Sequence, residues 1–72
     1  MKQKKLNMKT VEIIVKSRLN PGWSEWFDNL ELKHHGNDKT VIMGTVEDMA
    51  AFYGLLDKIK NLGLQLISVR YY

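Results

Sequence analysis

Thr45-Val46-Glu47-Asp48-Met49-Ala50-Ala51-Phe52-Tyr53-Gly54-Leu55-Leu56-Asp57-Lys58-Ile59-Lys60-Asn61-Leu62-Gly63 reads as a helix with both of its ends marked. Thr45 and Asp48 have the spacing of a capping box, and Glu47 and Asp48 place negative charge where a helix dipole is positive. Met49, Phe52, Leu55, Leu56, Ile59 and Leu62 recur at helical spacing and form one apolar face. Lys58 and Lys60 fall in the last turn, and Gly63 supplies a left-handed C-terminal residue.

The segments on either side alternate with period two. Residues 64–71, Leu-Gln-Leu-Ile-Ser-Val-Arg-Tyr, read as a strand after the helix, and residues 40–46, Thr-Val-Ile-Met-Gly-Thr-Val, as a strand before it. Gly36-Asn37-Asp38 separates the latter from Leu30-Glu31-Leu32-Lys33-His34, so these two strands form a hairpin, closed by a Gly-Asn two-residue turn or by a longer loop through Asp38. Residues 10–19 alternate as well, with Val11, Ile13, Val15 and Leu19 on one side and Glu12, Lys16 and Arg18 on the other. Between them Asn20-Pro21-Gly22 breaks the strand. Trp23, Trp26, Phe27 and Leu30 then follow at the spacing of one or two helical turns, and two of the three aromatics are expected to pack into the core.

A right-handed crossover through the long helix returns the last strand beside the first and predicts sheet order 4-1-3-2 with both helices on one face. The expected fold is therefore α+β, a two-layer ferredoxin-like βαββαβ sandwich with a shortened first helix. The alternative is a β-β-β-α-β arrangement in which the segment of that short helix is an ordered loop. Val11, Ile13, Val15, Phe52, Leu56 and Ile59 are the expected heart of the core.

Seventy-two residues leave room for one core. A composition of 44% hydrophobic and 26% charged residues is that of a folded domain, which argues against disorder beyond the lysine-rich start. Residues 1–8 are expected to be a flexible tail, with Met8 as an alternative start, and residues 9–72 a single α+β domain. The absence of cysteine removes disulfides and thiolate metal sites, and together with the lack of any long apolar run it suggests a cytoplasmic protein with no membrane contact. Lys2, Lys4 and Lys5 carry the whole net charge of +3, and the eight acidic and eight basic residues beyond them are interspersed. Nucleic-acid binding is thus confined to the tail, because no folded element bears a basic stripe.

Two stretches, Trp23-Ser24-Glu25-Trp26-Phe27-Asp28-Asn29-Leu30 and Gly54-Leu55-Leu56 running on to Leu62-Gly63-Leu64-Gln65-Leu66-Ile67-Ser68-Val69, resemble a group of short bacterial hypothetical proteins. The resemblance covers residues 10–69. It implies one compact domain and transfers no activity, cofactor or site residue.

For chemistry, His34-His35 is the conspicuous pair, but neighbours on a strand point to opposite faces and cannot share a metal without a bend. No serine has a readable triad, no phosphate loop is present, and nothing calls for a cofactor, a metal or a catalytic residue. Trp23 and Trp26, with Asp28, His34 and His35 nearby, form a candidate ligand or partner patch. A second candidate is the sheet face away from the helices. Ile14 lies on it, and in the last two strands either Ile42 or Met43 and either Leu66 or Ile67 must face outward, so Ile14, Ile42 and Leu66 are expected to cluster at its centre. Such apolar surface marks an interface, and a homodimer through the open sheet face is the expected occupant, with another protein as the alternative. The function class that follows is a small, non-enzymatic, self-associating interaction module. A ligand-binding or cofactor-free enzyme domain and a nucleic-acid binder through the tail are the alternatives.

Overall fold

A computed structural model describes residues 9–27 and 30–72; the lysine-rich tail and Asp28 lie outside the described residues. The elements follow the order strand β1 (Lys9–Val15), a 3-10 helix (Pro21–Phe27), β2 (Glu31–His35), β3 (Lys39–Val46), helix α1 (Met49–Asn61) and β4 (Leu66–Tyr71). The four strands form one antiparallel sheet of order β2-β3-β1-β4, which is 4-1-3-2 read from the other edge. The β2–β3 hairpin closes through the longer of the two expected loops, with His35 paired to Lys39 and Gly36 at φ 74°.

The pairing settles which side each residue takes. Val11 stands opposite Gly44, Ile13 opposite Ile42 and Val15 opposite Thr40, all on the face that α1 covers. Ile42 is accordingly in the core, and Met43, opposite Glu12, is the one of the pair that faces outward. The placement of Ile42 on the open face is thereby corrected. Val11, Ile13, Val15, Phe27, Leu30, Ile42, Phe52, Leu55 and Ile59 make up most of the core, and Leu56, expected at its heart, is only partly buried against it.

Helix α1 begins three residues later than a Thr45 cap would place it. Asp48 is the N-cap, its carboxylate accepting from the Ala51 amide at 2.9 Å, while Thr45 belongs to β3. Its C-terminus closes as expected on Gly63, φ 76°. The Gly63 amide donates to the Lys60 carbonyl and the Leu64 amide to that of Ile59, and Leu64 packs on the core. This is the Schellman arrangement, which satisfies carbonyls that the end of a helix leaves unpaired.

The greatest departure from expectation is the aromatic segment. It is a 3-10 helix, begun by the Trp23 amide donating to the Asn20 carbonyl, so among the described residues one α-helix lies on the sheet. In a 3-10 helix residues three apart are eclipsed. Trp23 and Trp26 therefore share one ridge, which points outward, and Phe27, next around the turn, points into the core. Phe27 is 0% exposed against 39% and 50% for the two tryptophans, so one aromatic packs inside where two were expected.

One α-helix cannot cover four strands evenly. On the helix side Ile13 is 0% exposed, whereas its β4 partner Val69 is 41% exposed.

Candidate functional site

The two edges of the sheet are built differently. Strand β2 carries Glu31, Lys33, His34 and His35 in five residues, and charge of this kind discourages another strand from pairing. Strand β4 carries one charged residue, Arg70, and leaves Leu66, Ile67 and Val69 exposed. Its outer side is also unpaired among the described residues, since β4 ends the strand order. Thr10 and Tyr72 exchange both backbone hydrogen bonds at 2.9 Å. Such exchange alternates along an antiparallel ladder, so Arg70 and Ser68 turn their backbone groups toward β1, while those of Val69 and Tyr71 point away from the sheet. A register shift between Ile14 and Val15 bulges the far end of β4 near Leu66 and Ile67, leaving 68–71 as the regular stretch.

Beside this edge, on the helix side, Phe52 stacks on Tyr71 with ring centroids 4.6 Å apart, and Tyr53 lies 5.8 Å from Phe52. Met49 and Tyr53 are exposed, so apolar surface continues from the edge toward the first turns of α1.

The open face is less apolar than the edge. Ile14 and its partner Val41 sit at its centre with Met43, all half-buried. Around them stand Glu31 with Lys33, 3.8 Å apart, and Glu12 with Arg70, 3.4 Å apart, the latter guanidinium also lying over the Tyr72 ring. Leu66, expected to cluster with Ile14, pairs instead with Val15 on the helix side of the ladder.

Trp23 and Trp26 meet edge to face, 6.4 Å between centroids and 86° between planes. With Asn20, Gly22 and Glu25 they line an open depression of about 600 Å3. Asn20 Oδ1 accepts from the Gly22 amide at 2.9 Å, and Lys58 donates to the Trp26 carbonyl at 3.1 Å.

The two histidines do not join this patch as a pair. His35 is exposed near the hairpin loop, and His34 reaches the other way: its Nε2 donates to the Leu19 carbonyl at 2.8 Å. The buried Thr40, cross-strand partner of His34, accepts from the Leu19 amide at 2.9 Å and donates to the Ser17 carbonyl at 2.6 Å. Together they anchor the connection between β1 and the 3-10 helix, satisfying backbone groups whose burial unpaired would be costly. Thr40 was not singled out in the sequence, where a lone threonine in a strand signals only β propensity. Among the described residues no group of three or more His, Asp or Glu side chains is placed to hold a metal ion. No helix among them is long and apolar enough to cross a membrane.

Neither a curated protein nor a solved structure matches the chain. A family model does, over residues 10–70, which takes in both helical segments and all of the strands but the first residue of β1 and the last of β4: the chain belongs to the family described as Domain of unknown function (DUF8691).

Proposed function

We propose that the domain is a non-enzymatic interaction module that pairs with a second copy of itself along β4. The frame is read as a ferredoxin-like βαββαβ sandwich in which the 3-10 helix stands where the first helix would be, a reading supported by the strand order and the antiparallel pairing. The observation that carries the functional reading is the unguarded edge: Leu66, Ile67 and Val69 exposed on a strand whose outward amides and carbonyls have no partner in the sheet among the described residues. Pairing would satisfy those groups and bury apolar surface in one step.

Symmetry narrows the register. Two copies of an antiparallel strand can meet about Val69 or about Arg70 within the regular stretch. Centring on Arg70 sets two guanidinium groups opposite each other, which is unfavourable. Centring on Val69 sets each Arg70 opposite Ser68 of the second copy and lets the Val69 amides and carbonyls bond to one another. The open face supports association less well, because charged pairs ring its apolar centre.

Light scattering with size-exclusion chromatography at high micromolar concentration tests this. The parent is expected to run as a dimer and Val69→Lys, which sets a charge on each side of the symmetry axis, as a folded monomer. Ile14→Glu should leave the dimer intact. The reverse pattern would transfer the interface to the open face, and a monomeric parent would end the self-association reading.

A further inference from the structure

We propose that Trp23, Trp26 and Glu25 form a binding corner for an alkylammonium group, a site that does not depend on pairing along β4. Exposing two tryptophans in a protein this small forgoes the burial of the largest side chains it has, and the geometry points to what they serve instead. The rings stand at 86° with centroids 6.4 Å apart, so they form two walls meeting at a corner and not a flat platform. A corner suits a compact, rounded group, whereas a flat sugar or base ring calls for a parallel surface.

Charge chooses among compact groups. Among the described residues lining the depression, Glu25 is the one that bears charge. Asn20 has its carbonyl oxygen engaged by the Gly22 amide, so the carboxylate is the principal free acceptor in the lining. Tryptophan faces attract cations more strongly than those of any other side chain. A quaternary alkylammonium head satisfies both features at once, since it spreads its charge over methyl groups that pack on indole and needs no hydrogen-bond partner. The depression, about 600 Å3, exceeds the head group and leaves space for the chain that carries it.

Trp23 and Trp26 are the two tryptophans of the chain, so their indole N–H signals in a nitrogen-proton NMR spectrum report on the corner directly. The full chain is titrated with choline and with 3,3-dimethylbutan-1-ol, its neutral isostere. Choline is expected to move both signals saturably and to bind roughly three- to thirtyfold more tightly than the alcohol. Glu25→Gln, at an exposed position, should keep the fold and narrow that ratio. A short peptide carrying trimethyllysine, compared with the same peptide carrying norleucine there, separates the sources. If only the methylated peptide binds, the cation belongs to a protein side chain; if choline binds, a free small molecule suffices, and either result supports the site. Equal affinity for choline and the alcohol, or no saturable shift from choline or the methylated peptide, overturns it.

Discussion

Phe27→Ala is expected to abolish cooperative folding at room temperature. Phe27 is wholly buried and is the one aromatic of the 3-10 helix in the core. Truncating a buried phenylalanine costs about 3–5 kcal/mol. A single core in a domain of this size rarely supplies more than about 3–5 kcal/mol in total, so the loss is of the same order as the whole stability. Trp26→Ala, one residue away, removes a larger side chain that is half exposed, and should lower stability by no more than about 1 kcal/mol. Urea denaturation followed by circular dichroism measures both. Similar losses for the two variants would mean that the segment presents a different face to the sheet.

Gly44→Ala is expected to destabilise by roughly 1–3 kcal/mol through overpacking alone. Gly44 lies in β3 on the helix-facing side, opposite Val11, and a Cβ there would stand 2.5 Å from Leu30 Cδ2. Leu30 is itself buried, so its side chain cannot swing out to solvent. The backbone adds to the cost, because φ is 156°, where L-residues are strained. Gly54→Ala gives the opposite sign: it is exposed within α1, nothing lies within 4 Å of the added methyl, and the helix gains about 1 kcal/mol from the better helix former. Thermal melts of the two alanine variants should therefore move in opposite directions, and a shift of the same sign would show that one of the two backbone environments is misassigned.

The strand order was legible because the two devices that determine it are local. Period-two alternation marks each strand, and a helix with an Asp48 cap and a Gly63 stop makes the crossover that brings β4 to β1. Facing was legible in β1, where Val11, Ile13 and Val15 alternate with Glu12, Ile14 and Lys16. It was not legible in Thr40-Val41-Ile42-Met43, which is apolar in both phases, so the choice between Ile42 and Met43 depended on a register that only pairing with β1 supplies. The bulge near Leu66 and Ile67 is likewise a property of two strands together. The aromatic segment misled for a different reason. Spacings of three and four are shared by both helix types, yet a 3-10 turn sends Trp23 and Trp26 one way and Phe27 another, where an α-helix would have kept them together. One candidate surface follows from this difference: the exposed tryptophans come from the tighter helix.

The reciprocal bonds between Thr10 and Tyr72 place the start of β1 beside the end of β4, on neighbouring strands that run in opposite directions. A pulling force applied through these two points acts across the ladder and not along it. Each rung then carries the load in turn, and the pair unzips from that end at low force. Were the same two strands parallel, all rungs would share the load in shear. A sheet that resists urea cooperatively can thus yield easily to traction in this one direction, baring the flank of β1 while β2, β3 and the hairpin loop between them bear none of the load.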